Sequence, residues 1–409
     1  MENKTFSELI ETNIWRIRKL SLPNATSYLQ DVEYIVWADT GLITALNTNL
    51  FFQESCQMIV NAINIFQEGY FDAAFYSLRQ SIENSIGTLY LSARPETMDS
   101  WQKLEKGFEK GKMAKFLRDN EPNFSDIRSN MSKYFENINK AINKINKYIH
   151  KQGFISFYST KKSIITDKET QIYKQITSDF EQILKISIGA VAVYRLTIDP
   201  LPILLMNEDI RFRTGDLVTE PYSEHFVQKY IGEEHISAYK NTNIYKEYKK
   251  SIMSCEKQNE AIFNIIHFQY INREALNDIN EQINLLTLSD RMALAFILIS
   301  DNITLVYIDE IFLYTSNTTR KDSCISYGYP YCNEFFEGKN DFNAPLANGA
   351  YLSRIKGNKK FTFIESNIPL NEIEIEIVKK RSEQFKEVTQ KIDKEIEELI
   401  EIIKANKER

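Results

Sequence analysis

The chain is poor in the residues that staple, switch or anchor a fold. Its four cysteines (Cys56, Cys255, Cys324 and Cys332) show no C-x-x-C spacing. That excludes a zinc ribbon and argues against a disulfide framework, leaving reduced thiols as the expectation. Long hydrophobic runs are missing too. The longest, "MALAFILIS", has nine residues, whereas a membrane helix needs about 20. The opening "MENKTFSELIETNIWRIRKL" is mixed-charge and amphipathic, without the basic, apolar and small-residue zones of a secretory signal. A cytoplasmic chain that does not enter the membrane is expected.

Catalytic signatures are equally sparse. No G-x-G-x-x-G occurs, and "GFEKGK" at 107–112 is one residue short of a Walker loop and lacks its Ser/Thr. There is no G-x-S-x-G and no recognisable Cys–His pairing. "EHFVQKYIGEEH" sets His225 and His235 ten apart beside Glu224, Glu233 and Glu234, a spacing that reaches one metal only if the chain folds back on itself. Surface helix residues are the simpler reading, so no metal and no cofactor are expected.

What the sequence does have is helical periodicity almost everywhere. Apolar residues recur three to four apart over 4–20, over 49–68 (Phe52, Cys56, Ile59, Ile63, Phe66) and over 71–92 (Phe71, Phe75, Leu78, Ile82, Ile86, Leu89). The pattern continues over 124–150 (Ile127, Met131, Phe135, Ile138, Ile142, Ile145, Ile149) and 168–196. Such stripes describe antiparallel helices around one core. "DPLP" at 199–202 stops the last of them, because proline cannot continue a helix. This divides the chain into an expected helical bundle, 1–199, and a mainly helical second domain, 200–409.

The second domain is predicted to hold helices near 223–230, 241–268, 273–285 and 288–313. The segment 314–366 is rich in glycine and aromatics and predicts loops around one hairpin, with strands near 350–356 and 360–365 turning at "GNKK". A long helix over 371–406 follows, capped by Asn371 with Glu374 reaching back. Its apolar residues Val378, Phe385, Ile392 and Leu399 fall seven apart, a spacing that suits a partner helix or docking on its own domain. The fold class read from the sequence is all-α.

Net charge is −6, unevenly spread. Residues 101–165 carry fourteen Lys/Arg against six Asp/Glu, a local +8. A basic patch on an acidic protein attracts phosphate backbones, although lysine-rich helix faces are also simply solvated. Inside this stretch lies "NKYIHKQGF", with His150. Asn139, Asn143, Asn146 and His150 fall three or four apart and line one helix face beside the apolar stripe. Arg79 and Glu83, one turn apart in "SLRQSIENSIG", border the stripe of their own helix. If the two helices are neighbours, Arg79, Glu83, Asn146 and His150 meet. An imidazole with a cationic partner can cleave RNA without metal, the His moving a proton and the Arg neutralising phosphate charge. The alternative is structural: an Arg79–Glu83 ion pair orienting His150 as a hydrogen-bonded lock in the bundle.

"EGYFDAAFYSLRQSIENSIGTLYL" followed by "INKYIHKQGF" resembles the HEPN superfamily of prokaryotic helical bundles, over about residues 45–195. The likeness lies in an A-x-x-x-L-R-x-x-x-E pattern (Ala74, Leu78, Arg79, Glu83) and in a polar residue, Asn146, four before His150. It implies a helical bundle, homodimerisation through it, and work in phage-defence or toxin–antitoxin settings. Active members are RNases with Arg-x(4–6)-His at the dimer cleft. No such spacing occurs here: five, six and seven residues before His150 stand Ile145, Lys144 and Asn143. An endoribonuclease would therefore have to use Arg79 or Lys144 in place of that arginine. The other reading is a non-catalytic module that dimerises, engages RNA through Lys147, Lys151, Lys161 and Lys162, and meets a protein partner through the aromatic segment 314–366.

Overall fold

The computed structural model describes residues 5, 8, 19–105, 107–158, 167–215, 218–321, 335–357 and 360–407. Side chains at 167–170, 396–397 and beyond 398 are outside it. The expected helix over 4–20 lies almost wholly outside the described residues, as do Lys161, Lys162, Cys324 and Cys332. The chain divides into two compact units, Met1–Cys255 and Glu256–Arg409.

The first unit is helical. Its principal helices are α1 (Ala25–Val36), α2 (Asn47–Gln67), α3 (Phe71–Ala93), α4 (Lys110–Asn120), α5 (Pro122–Asn130), α6 (Ser132–Ile149), α7 (Asp167–Arg195), α8 (Glu224–Tyr230), α9 (Glu233–Tyr239) and α10 (Asn243–Met253). The stripes read from the sequence form its core: Ile59, Phe66, Phe75, Ile82, Ile145 and Phe180 are fully buried. Phe66 stacks on Phe180 at 3.9 Å and Phe75 on Tyr148 at 4.2 Å, joining α2, α3, α6 and α7. The expected single helix over 124–150 is two helices. Met131 leaves the helical region at φ −101°, ψ 32°, and Asn130 turns its amide back onto the carbonyl of Asp126, a local bond that competes with helix propagation.

The expected boundary at 199 is displaced to 255. "DPLP" does end α7, but the chain beyond it returns to the same core. Arg195 and Asp199, 1% and 0% exposed, form an ion pair at 3.1 Å, and Arg195 Nε donates to the Ala38 carbonyl at 2.6 Å. Tyr239 OH donates to the Leu196 carbonyl at 2.8 Å, and Tyr134 OH to that of Tyr230 at 3.1 Å. A proline stop marks the end of a helix, not the end of a core. The exposed residues 253–257 are where the first unit closes.

The second unit corrects the all-α expectation: the protein is predominantly helical and carries a six-stranded mixed sheet, ordered β1-β3-β2-β6-β5-β4. Its strands are β1 (Tyr270–Ile271), β2 (Ile303–Ile308), β3 (Phe312–Ser316), β4 (Ala344–Pro345), β5 (Tyr351–Lys356) and β6 (Phe361–Ser366). Around it are α11 (Glu260–Phe268), α12 (Leu276–Glu281), α13 (Leu288–Ile297) and α14 (Glu372–Lys407). β1 pairs parallel to β3, and the other pairings are antiparallel.

The helix read over 288–313 stops at Ile297, and "ITLVYI" and "FLYTS" are strands. Every residue of β2 is buried, so its apolar run has no period, and β-branched and aromatic content decides for strand. Asp309 and Glu310 turn between β2 and β3 at φ 47° and 55°, the left-handed pair a tight hairpin demands. The helix read over 241–268 is likewise interrupted, at 254–259.

The β5–β6 hairpin matches the sequence reading to within a residue, with Tyr351 opposite Ser366 and Lys356 opposite Phe361. α14 begins with the foreseen reciprocal cap: Glu374 N–H donates to Asn371 Oδ1 at 3.0 Å, and Asn371 N–H to Glu374 Oε2 at 2.8 Å. Among the described aromatics of 314–366, Tyr314, Phe336 and Phe363 are buried in the unit's own core.

Candidate functional site

α3 and α6 pack side by side, and their polar margins meet. Arg79 Nε donates to Glu83 Oε1 at 2.7 Å, and Arg79 Nη1 to Asn146 Oδ1 at 3.1 Å. A fourth group, unforeseen, joins them: Lys110 from α4 places Nζ 3.4 Å from the same Glu83 oxygen. Burial pushes the Lys110 ammonium below its ordinary value and Arg79 adds to this, against the pull of Glu83. One carboxylate thus serves two cations in a part-buried pocket. Lys110 stands in "GFEKGK", a segment that draws notice as a failed phosphate loop; nothing in it announces a partner on α3.

His150 is one helical turn beyond Asn146, about 5.4 Å along the axis. It is the C-terminal cap of α6, exposed, with its backbone N–H on the Asn146 carbonyl at 2.9 Å. Its side chain makes no hydrogen bond among the described residues, so the buried lock foreseen as one alternative is not formed. The structural work falls to Lys151. At φ 55° it is the left-handed residue of a Schellman turn, with Gln152 N–H on the Lys147 carbonyl at 2.8 Å. Its ammonium then reaches Asp72 Oδ2 at 2.6 Å and the Ser156 carbonyl at 3.2 Å, over the rings of Phe71 and Tyr158. Tyr158 OH donates to the same carboxylate. Burial alone would raise Asp72, but the bonds from Lys151 and Tyr158 outweigh it and hold the carboxyl below its usual value. Lys151, expected on RNA, ties the end of α6 to the start of α3.

Lys144 and Asn146, two residues apart, face opposite sides of α6. Lys144 therefore does not join Arg79. It sits 2.7 Å from Asp179 Oδ1 and 3.3 Å from Gln182 Oε1, both on α7. Tyr148 OH donates to Asp179 Oδ2 at 2.7 Å, and Gln175 Nε2 to Oδ1 at 2.7 Å. The sequence signal for this hub is the acid Asp179 within the "ITSDFEQIL" stripe, which sequence reasoning passed over. Lys147 and Lys140 are exposed on the same side of α6, without a carboxylate partner among the described residues. They line a cavity of about 540 Å³.

The two histidines weighed as metal ligands sit on α8 (His225, exposed) and α9 (His235, half-buried against the Tyr134 ring at 5.1 Å). Among the described residues no three His, Cys, Asp or Glu are grouped to hold a metal, and no helix is long and apolar enough to cross a membrane.

No protein-family model, curated protein or solved structure matches the chain. Chemically, the Arg79 cluster is suited to binding more than to bond breaking. Arg79 keeps donors in reserve, since two of its five N–H groups are used. Arg79 shares Glu83 with Lys110, though, and among the described residues the His150 side chain has no hydrogen-bond partner to orient it as an acid or base.

Proposed function

We propose that the helical unit is an RNA-engaging interaction module, HEPN-like in architecture and dimerising through its bundle, in a prokaryotic phage-defence or toxin-type system. One observation carries the reading: α6 meets the locked Arg79–Glu83 pair of α3 through Asn146 on one side, and on another presents Lys140 and Lys147, which have no carboxylate partner among the described residues. On the locked side Glu83 holds both Arg79 and Lys110, so the one positive charge in excess stays tied to the carboxylate. The open side offers uncompensated charge, which is what non-specific backbone binding requires. Incubation with total tRNA in the presence of a chelator tests it, wild type against His150→Ala. The expected outcome is intact RNA and binding that weakens steeply with salt in both proteins. Metal-independent cleavage that disappears in His150→Ala would overturn it in favour of an endoribonuclease working through His150 with Arg79.

A further inference from the structure

The cavity that holds Lys147 does not end there. Lys140 and Lys144 also line a second recess of about 510 Å³, whose far wall is Lys185 of α7, Lys229 of α8 and His235 of α9. The two recesses adjoin at Lys140 and Lys144, which line both. Together they follow α6 from Tyr134 to Tyr148, fourteen residue steps, or about 21 Å at 1.5 Å per step. Five lysines and one histidine face this passage, against a single wall carboxylate, Asp179.

Three of the lysines are held in the same way. Lys144 is gripped by Asp179, Lys185 by Glu181 at 3.0 Å and Lys229 by Asp31 at 2.6 Å. Each carboxylate is fixed in turn by a tyrosine hydroxyl: Tyr148 on Asp179 at 2.7 Å, Tyr28 on Glu181 at 2.6 Å and Tyr230 on Asp31 at 2.6 Å. Burial, then the carboxylate itself, raises all three phenols well above their ordinary value, so they remain donors. An ammonium has three N–H donors, and Lys229 spends two, on Ser27 and Asp31. What is left can receive a phosphate oxygen from a head group that is already positioned, which spares part of the ordering cost of binding. Lys140 and Lys147 add the net charge that the paired lysines lack.

We infer that the adjoining recesses walled by Lys140, Lys144, Lys147, Lys185, Lys229 and His235 form a binding track for the phosphodiester backbone of single-stranded nucleic acid. It rests on the RNA-engaging reading above and gives that reading a location and a strand type. A recess follows one backbone, as the charged grooves of single-strand binders do, whereas a duplex presents two. The half-buried His235 ring, packed edge-on with Tyr134 at 5.1 Å, stands at one end of the track.

The test is a polarisation titration of the full chain with a labelled oligouridylate across a range of salt. Lys140→Gln/Lys147→Gln is the principal variant, because both side chains are exposed and unpaired and their loss leaves no carboxylate stranded. It should weaken binding about tenfold, with the log–log salt slope shallower by about 1.4, or about 0.7 for each phosphate no longer neutralised. Lys140→Arg/Lys147→Arg should restore binding. Lys103→Gln/Lys115→Gln, which removes two exposed lysines of the same basic segment away from the recess, should bind as the wild type does. If the Lys103/Lys115 variant loses affinity and the Lys140/Lys147 variant does not, RNA engagement stands and the track is wrong. Failure of the wild type to bind at low salt overturns both. Tighter binding of a duplex overturns the strand type, and inorganic polyphosphate competing phosphate for phosphate reassigns the recess to free polyphosphate.

Discussion

Asp179→Asn should move stability and RNA affinity in opposite directions. The carboxylate, side chain 9% exposed, is held from three sides by Lys144, Tyr148 and Gln175, each at 2.7 Å. A hydrogen bond to a charged group contributes about 1.5–3 kcal/mol and a neutral one about 0.5–1.5 kcal/mol. An amide keeps the oxygen that serves Lys144 and Gln175 but presents N–H₂ to the Tyr148 hydroxyl. The Lys144 share must be discounted, because that side chain is 35% exposed and solvent screens the pair. The balance is a loss of about 2 kcal/mol, a sizeable part of the 5–15 kcal/mol typical of a domain. Losing the carboxylate also releases one uncompensated ammonium into the recess, so oligouridylate binding should tighten and its salt slope steepen by about 0.7. Urea unfolding followed by circular dichroism reads the first effect and polarisation titration the second. Wild-type stability would refute the hub. Weaker RNA binding by a folded variant would refute the idea that the charge, more than its positioning, limits affinity.

Other substitutions probe the remaining links. Arg195→Met strands the buried Asp199 carboxylate and the Ala38 carbonyl, so urea unfolding should show a loss of about 3–5 kcal/mol; a loss confined to a few tenths would refute the cost of an uncompensated buried charge there. His150→Ala removes an exposed cap side chain and should change stability by no more than about 0.5 kcal/mol, while a large fall in melting temperature would revive the structural lock. Gly189→Ala drives a methyl group into the Tyr230 carbonyl and the Tyr134 hydroxyl, with an expected loss of at least about 1–3 kcal/mol in thermal unfolding; a neutral outcome would mean α8 does not press on α7. For Asp72 the folded-state pKa lies below the unfolded one. Its contribution is therefore present above the ordinary carboxyl value of about 3.9 and fades as pH falls from there through the depressed one. Asp72→Asn should flatten the stability profile in that acid window, and an unchanged profile would dissociate Lys151 from it.

The bundle was legible because its helices bury one face each, so Ile59, Ile82 and Ile145 repeat at helical spacing and all three prove buried. The meeting of Arg79, Glu83 and Asn146 was legible for the same reason: each borders a stripe, and stripes that share a core bring their margins together. The sheet was not, since β2 is covered on both faces and its continuous apolar run carries no period to read. Nor was the recess, because Lys185 and Lys229 come from helices that reach α6 only by tertiary packing, and sequence distance hides that approach. The function of "NKYIHKQGF" was half visible. The turn was implied by the end of the stripe, but the work assigned to His150 belongs to its neighbour, whose left-handed backbone no pattern of side chains encodes.

The hydrophobic cluster of the first unit shares no stretch of chain with the two that flank the sheet. The first is complete by Ile252, and the next opens at Ala261. Between them runs "SCEKQ", whose first four residues are exposed. A gene cut at that point would encode two polypeptides that each keep their core residues intact. The short polar passage from Ser254 to Gln258 is therefore the place where the chain can be severed with the residues of each core kept together.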